Sequence, residues 1–404
     1  MTRFSWPVLA LSLILTLAPA PIAHAADCTS GARILAGITF ERLCANVVDV
    51  LIDAQIEPGD AAALRAQVVD DAAAVQAEFG LDFPSRPVIH VVATTARYAA
   101  ALHVLFGYPD VTARWVADNS VAFFEPATGG IAVDWDAIRD RRPITAIRHE
   151  LTHLITLSAC APRCDLVPAW LNEGQAHFAE AAAPGAAWRA LRMRYEAASL
   201  VTTGTFMPLT VLVTQQSWNA ITSWQGYYKY QEAARVTELL RDDVGGERPI
   251  AKLYQRLRGG ENVARAYRAL SGKDFAEFVS ALPARLQEGA DGPGIETVGG
   301  TPEGPGTSFV LYGFAPESEV TLSIDGRFYT SHQVVTVSPE GSWFGWLGDA
   351  APSGVYRLTT ATGAWCASVV VAKRGGRRAI LDPDAVIGDP ARDPCAPRPR
   401  FRPN

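Results

Sequence analysis

Residues 144–180, ITAIRHELTHLITLSACAPRCDLVPAWLNEGQAHFAE, carry the two motifs that decide how this chain folds and what it does. His149 and His153 belong to an HExxH pattern. On a helix, their side chains lie one turn apart on one face, where both imidazoles can bind a single metal ion at about 2.0–2.1 Å. Glu150 directly follows the first histidine and can take a proton from a water molecule at the metal. The pattern predicts a Zn²⁺ site with a glutamate as general base.

The second motif, WLNEG at residues 170–174, offers a third ligand. Nineteen residues, 154 to 172, separate His153 from Glu173, which is enough for the end of one helix, a loop and a returning helix. Three protein ligands leave the fourth zinc position open, as in catalytic and not structural zinc sites. We therefore expect His149, His153 and Glu173 to hold the metal.

The composition limits the classes of partner. The chain has 404 residues, 49% of them apolar and 19% charged, and a formal net charge of −6. The length predicts two domains of a globular protein. Because this balance provides no basic surface, we expect a peptide or protein substrate and no nucleic acid.

Residues 1–25 have the order of a secretory signal peptide. Arg3 precedes an apolar run at 8–17, and Ala23-His24-Ala25 forms a cleavage site. The run is too short for a comfortable transmembrane span, although an uncleaved anchor is the alternative. We expect a secreted protein, extracellular or periplasmic, without stable membrane insertion.

All six cysteines follow this segment. In an oxidising compartment, an even number indicates disulfides. Thiolate ligation of zinc is the alternative for the CxxxC pair beside the metal motif. Proximity favours three bridges, although the sequence leaves the connectivity open: Cys28–Cys44, Cys160–Cys164 and Cys366–Cys395.

Residues 26–288 predict an α+β domain with a small mixed sheet and a helical lower lobe. Apolar periodicity and turn residues place strands at 87–93, 120–124 and 130–135. The edge of the strands before the HExxH helix could bind an extended peptide, but ordinary core strands explain them equally well. Helices are predicted at 61–79, from Thr94 or Thr95 to 106, from 144 to about 157, and at 187–200, 228–242, 250–257, 262–269 and 274–286.

The composition changes after residue 288. Residues 289–306 are rich in Pro and Gly and predict a linker, and residues 307–372 alternate as six short strands of a β-sandwich. Residues 373–404 predict a basic, Pro-rich disordered tail tied by Cys395, with polyanion binding as the alternative. The sandwich resembles bacterial immunoglobulin-like or fibronectin-like modules, a likeness of fold only.

HELTH followed by WLNEG resembles the gluzincin metallopeptidases, in particular their peptidase MA-like and aminopeptidase-N-like branch. The resemblance covers roughly residues 61–286. It implies a zincin-like catalytic domain at 26–288, zinc bound by His149, His153 and Glu173, and peptide-bond hydrolysis with Glu150 as general base.

The resemblance also implies a tyrosine that stabilises the oxyanion from a downstream helix. Tyr230 opens YQEAARVTELLRDDVGG and matches that placement best. Tyr227 and Tyr228 are alternatives, because a one-residue error in register would move the hydroxyl around the helix. A packed helix tyrosine without a catalytic role is the remaining interpretation.

Two features depart from the family. The spacing from His153 to Glu173 is one residue longer than is common in the aminopeptidase branch. The GxMEN segment that holds a substrate's amino terminus there is absent from this sequence. Endopeptidase or open specificity is therefore expected in place of exopeptidase activity.

The remaining histidines and an alternative to an enzymatic function also need to be considered. His90, His103 and His177 have no second histidine at a ligand spacing and are expected to be structural or surface residues. The alternative to an enzyme is a catalytically inactive zincin-like protein of the cell envelope. Such a protein would bind a cell-surface partner through its β-sandwich.

Overall fold

The structure of the chain is a computed structural model that describes residues 30–44, 47–139, 144–221, 225–245, 247–288, 290, 293–298, 307–326, 329–347, 354–360 and 366–371. The predicted signal peptide, the basic tail, Cys28 and Cys395 lie outside the described residues. The described part is mixed α+β, with a six-stranded sheet, twelve α-helices and two smaller sheets. This confirms the predicted fold class and is compatible with a zincin-like domain followed by a β region.

The strands of the six-stranded sheet lie between residues 31 and 134. Its order is β1-β2-β3-β4-β6-β5; β4 is parallel to β3 and β6, and the other pairs are antiparallel. Strand β5 therefore forms one edge. The strands are β1 (Gly31–Leu35), β2 (Ile38–Cys44), β3 (Asp49–Asp53), β4 (Val88–Val92), β5 (Ala122–Glu125) and β6 (Gly130–Asp134).

Sequence patterns predicted β4, β5 and β6 but not the first three strands. Strand β1 is exposed along nearly its whole length, whereas every residue of β3 is buried. Neither strand shows the alternation of apolar and polar residues that marks a half-buried strand.

The helices are α1 (Pro58–Phe79), α2 (Thr95–Phe106), α3 (Asp110–Asn119), α4 (Trp135–Ile138), α5 (Ala146–Cys160), α6 (Ala169–Ala181), α7 (Ala187–Thr202), α8 (Gln215–Ala220), α9 (Gln225–Val244), α10 (Glu247–Arg258), α11 (Val263–Ser271) and α12 (Phe275–Gln287). Thr94 caps α2, accepting a hydrogen bond from the N–H of Arg97, at one of the two starts that the sequence predicted. Helix α1 begins at Pro58, three residues before its predicted start. Helices α3, α4 and α8 were not predicted.

Both faces of the central sheet are covered, and alternate residues of each strand point to opposite faces. Val50 and Ile52 of β3 pack with α1 and α5 in the largest core cluster, whereas Leu51 packs against α2 on the other side. His90 of β4 lies on the α2 face between the rings of Phe40 and Phe106. It is a structural residue, as expected, and burial lowers its pKa to about 4.

Helices α6 and α9 cross at very close range in the helical lobe. A β-carbon on Gly174 of α6 would lie 2.7 Å from the backbone carbonyl carbon of Ala233 and would also clash with Thr237 of α9. Only glycine allows this approach. The crossing places the residue before it, Glu173, opposite helix α5.

The β region consists of two antiparallel sheets with one shared core. One sheet has the order β10-β9-β12-β13 and the other the order β11-β8-β7. Ile295, Phe309 and Leu311 of the second sheet pack with Leu322 and Leu358 of the first. The strands are β7 (Gly294–Val298), β8 (Thr307–Tyr312), β9 (Glu319–Gly326), β10 (Tyr329–Thr336), β11 (Trp343–Leu347), β12 (Gly354–Thr360) and β13 (Cys366–Val371).

Strand β7 corrects the predicted linker. Residues 294–298 were assigned to the Pro/Gly linker, but they pair with β8, and Ile295 is buried in the shared core. Their glycine is structural, because a β-carbon on Gly294 would lie 2.6 Å from the ring of Tyr312. A Pro/Gly-rich composition does not reveal a strand that is defined by its pairing with a neighbouring strand.

Two further sequence expectations can be compared with the structure. Cys160 and Cys164 form the predicted disulfide, with their Cα atoms 4.9 Å apart, and thiolate ligation by this pair is thereby excluded. The partners proposed for Cys44 and Cys366 lie outside the described residues. Across the described helices, none combines the length and the apolar character required to cross a bilayer.

The close crossing predicts a large effect of a small substitution. In an open helix, Gly→Ala is stabilising, but Gly174→Ala should lower the free energy of unfolding by about 1–3 kcal/mol, because overpacking must separate α6 from α9. Gly59→Ala in α1 is the matched control, since nothing lies within 4 Å of its β-carbon position. Urea denaturation followed by circular dichroism measures both, and equal stability of the two variants would contradict the close crossing.

Candidate metal centre

Helix α5 presents the two histidines of the HExxH motif to a cleft. Its opposite face is anchored in the core by Ile147, Leu151 and Leu154. The rings of His149 and His153 lie 4.7 Å apart, and each side chain is only about one-eighth exposed. The helical spacing therefore directs both imidazoles to one place, as the sequence predicts.

Glu173 of α6 completes a set of three residues that could hold a metal ion. Its Oε2 lies 3.6 Å from Nε2 of His149 and 3.7 Å from Nε2 of His153. Tetrahedral bonds of about 2.0–2.1 Å to zinc separate neighbouring ligand atoms by about 3.4 Å. The residues present therefore fit Zn²⁺, and the predicted ligand set is brought together.

Both histidines are oriented through their other ring nitrogen. Nδ1 of His153 lies 3.2 Å from Oδ1 of Asn172, and Nδ1 of His149 lies 2.7 Å from Oε1 of Glu180. A carboxylate can only accept here, so Nδ1 of His149 carries the proton and Nε2 faces the metal position. Burial lowers the pKa of His153 to about 4, which keeps this imidazole neutral, the form that binds metal.

Glu180 is the centre of a buried hydrogen-bond cluster behind His149. Its Oε2 accepts from the hydroxyl of Thr145 at 2.7 Å and from the guanidinium of Arg189 at 2.9 Å. Burial favours the neutral acid, but the charge of Arg189 and the hydrogen bonds from His149 and His177 hold the pKa of Glu180 well below its usual range. The side chain is therefore a fixed anion that orients the first ligand.

His177 was expected to be a structural or surface residue. It is buried on α6, its Nδ1 is 3.4 Å from Oε1 of Glu180, and it lines the cleft. His149, His177 and Glu180 also meet the distance criteria for a metal group. The short hydrogen bond already uses Nδ1 of His149, so this second grouping is better explained as support for the first.

Glu150 lies beside the ligand set on α5. It is buried, and its carboxylate accepts a hydrogen bond from the backbone N–H of Phe124 on the edge strand β5. Burial, with smaller contributions from Glu173 and Glu180, raises its pKa to about 7. A carboxylate with this pKa can both take and return a proton near neutral pH.

Tyr230 is the one of the three candidate tyrosines that lies nearest to the histidines. Its ring centroid is 6.5 Å from that of His149 and 5.9 Å from that of His177, and it lines the cleft. Its hydroxyl accepts from the indole N–H of Trp218 at 3.4 Å, which leaves its own hydrogen to donate. Burial raises its pKa, so the hydroxyl stays protonated.

The other two tyrosines occupy different places. Tyr227 lines the cleft farther from the histidines, and its hydroxyl accepts from Gln231 at 2.7 Å. Tyr228 points toward the β region, where Glu340 and Ser338 hydrogen-bond to its side chain. The structure therefore favours Tyr230 among the alternatives that the sequence left open.

The cleft is large enough for part of a peptide. Its volume is about 580 Å³, and it extends from His149 and Glu150 along Ser120, Val121 and Ala122 at the start of β5. Glu173 is further held by Gln215, whose amide donates to Oε1 at 3.2 Å. The beginning of the edge strand β5, for which the sequence left peptide binding open, thus lines the site at Ala122.

The supporting residues of the site were not predicted from the sequence: Asn172, His177, Glu180, Arg189 and Gln215. Two of them had a detectable signal, because His177 and Glu180 follow Glu173 at the four- and seven-residue spacing that places side chains on one helix face. Arg189 and Gln215 come from other elements, and no local spacing indicates them.

Comparisons with known proteins assign no family. No family model matches the chain, and no curated protein sequence matches it. Among solved structures, yeast LTA4 hydrolase in complex with bestatin is similar, with 14% sequence identity and a TM-score of 0.34. The match covers 62% of this chain and 38% of the hydrolase chain, so it spans well under half of that protein.

The Glu180 cluster predicts a measurable effect on metal affinity. Glu180→Gln should weaken zinc binding by about 10- to 100-fold, because an amide orients His149 less strongly than a carboxylate. Glu277→Gln, at an exposed position of α12, is the control. Competition with a zinc chelator measures both dissociation constants, and an unchanged affinity in Glu180→Gln would rule out the orienting role.

Proposed function

We propose that this protein is a zinc-dependent metallopeptidase of the gluzincin type, which hydrolyses peptide bonds in peptides or proteins. One observation carries the proposal: His149, His153 and Glu173 converge at zinc-ligand distances with Glu150 beside them in an open cleft. A zinc ion held by three protein ligands has a fourth coordination position that is open to water or substrate.

The residues have distinct roles in the proposed reaction. Zinc, when bound, lowers the pKa of a water molecule and polarises the substrate carbonyl. Glu150 takes the proton of the attacking water and then returns it to the departing amine. The Tyr230 hydroxyl donates a hydrogen bond to the carbonyl oxygen as negative charge develops there.

The edge strand β5 orients the substrate in this proposal. An extended peptide can add to the edge through backbone hydrogen bonds, which places its chain along the cleft. The N–H of Phe124 already donates to Glu150, so this edge directs a donor toward the reacting groups. Binding through the peptide backbone suits an endopeptidase, because it does not require a free chain terminus.

We also propose that the protein is secreted. The Cys160–Cys164 disulfide supports an oxidising compartment, since disulfides are rare in cytosolic proteins. The bridge closes the loop between α5 and α6 and thereby supports the return of Glu173 to the two histidines.

Substituting the proposed general base and a proposed zinc ligand in separate variants tests the mechanism. Glu150→Gln should retain near-stoichiometric zinc but lose at least about 100-fold in kcat, because proton transfer is removed while the ligands remain. Glu173→Gln is the matched variant and should lose both zinc and activity. Zinc content by mass spectrometry and cleavage of a peptide library measure the two properties; turnover in Glu150→Gln at the wild-type rate would exclude this mechanism.

Replacing each of the three tyrosines identifies the oxyanion donor. Tyr230→Phe should lower kcat by about 100- to 1,000-fold with little change in KM, as expected for a hydrogen bond made mainly in the transition state. Tyr228→Phe and Tyr227→Phe serve as controls and should lose less than about tenfold in kcat. A larger loss in either control would transfer the role to that residue.

A further inference from the structure

Helix α7 lies between the metal cleft and the β region. On one side, Arg189 binds Glu180 in the cleft at 2.9 Å. On the other side, Tyr195 packs on Tyr312 of β8 with ring centroids 4.5 Å apart, within a buried cluster that joins the two regions. One helix therefore contacts both the site and the β region.

Phe344 of β11 is the residue through which the β region reaches the cleft wall. Its ring lies 5.5 Å from the ring of Trp188, and the guanidinium carbon of Arg192 lies 4.7 Å above it. The same guanidinium lies 5.0 Å from the ring of Tyr227, which lines the cleft. Arg192 is thus held between an aromatic ring of the β region and one of the cleft.

A second route leads through Trp188. The guanidinium carbon of Arg189 lies 4.6 Å from the Trp188 ring, and Arg189 in turn binds Glu180. Stacking on an aromatic face and an ion pair both restrict a long, flexible side chain. Two contiguous sets of contacts therefore run from Phe344 to residues that line the cleft.

The β region is seated so that Phe344 has a defined position. The hydroxyl of Ser199 on α7 donates to the carbonyl of Glu340 at 2.6 Å and accepts from the N–H of Gly313 at 3.1 Å. Gly341 has a φ of 75°, and a β-carbon there would lie 2.9 Å from the side chain of Thr203. The turn before β11 thus fits closely against the end of α7.

We propose that Phe344 is a positioning residue of the active site: it holds Trp188 and Arg192 and, through them, orders Arg189 and Tyr227 in the cleft wall. The β region is then an integral part of the enzyme and not an appended module for a separate partner. This inference rests on the proposed peptidase function for its kinetic consequence, although the coupling itself is structural. Residues linked by a contiguous packed network can transmit such an effect.

Kinetics test the consequence for substrate binding. In Phe344→Ala assayed at saturating zinc, KM should rise about 5- to 20-fold while kcat stays within about twofold, because Arg189 and Tyr227 border the substrate space and do not bind the metal. Phe344→Tyr retains the ring and should restore the wild-type KM. Val334→Ala, at an exposed position of the outer strand β10, is the control and should change nothing.

A double-mutant cycle tests the route from Phe344 through Arg192 to Tyr227. If Phe344 acts through Arg192 on Tyr227, its replacement should raise KM by less than about twofold in a Tyr227→Ala background. Additive effects of the two substitutions would overturn the route. If Phe344→Ala does not fold, Phe344→Leu takes its place, because leucine keeps an apolar side chain but removes the stacking surface.

Hydrogen exchange separates failure of this inference from failure of the proposed function. Backbone amides of residues 225–244 should exchange faster in Phe344→Ala than in Val334→Ala, because the coupling reaches α9 through Arg192. This readout holds even if the zinc-loaded wild type cleaves no peptide, an outcome that would refute the peptidase proposal alone. Unchanged exchange in α9 together with an unchanged KM would overturn the positioning role of Phe344.

Discussion

The close crossing of α6 and α9 at Gly174 is the constraint on which the metal centre depends. Because no side chain separates the helices there, α9 can approach the row of residues that α6 turns toward α5. Glu173, one residue before the crossing, meets the two histidines, and Tyr230, three residues before Ala233, faces the same cleft. A single glycine thus determines how near Glu173 and Tyr230 can lie to each other.

Buried charges fix the same helices from behind. Arg241 of α9 binds Glu78 of α1 at 2.9 Å and Gln175 of α6 at 3.1 Å, and Arg148, next to the first histidine, lies 3.8 Å from Glu78 and from Asp71. Such groups cost desolvation energy, and a buried pair contributes little more than apolar packing would. Removing one partner, however, leaves an uncompensated charge, so the network penalises any other register of the helices. Its contribution is to the geometry of the site more than to net stability.

The β region belongs to this arrangement in a way that its composition concealed. Sequence patterns predicted six of its seven described strands, because short runs rich in β-branched and aromatic residues lie between turn residues. They also suggested a separate module behind a linker. Yet β7 arises inside that linker, and a buried cluster joins Tyr195 and Ala198 of α7 to Val310 and Tyr312. The apolar residues of a strand indicate that it is buried, but they do not reveal which part of the protein it packs against.

The sequence by itself determined the local parts of the site. His149 and His153 share a helix face because of the helical period, and most helices and the strands next to the site follow from apolar periodicity. Only the tertiary structure decided which residues support them: Glu180 behind His149, His177 beside it and Arg189 from α7. It also decided that Tyr230, and not Tyr228, lies beside the histidines. The physical reason is that these contacts join residues distant in sequence or choose between neighbours on one helix. Both depend on how close two helices can pack, which no short window of sequence encodes.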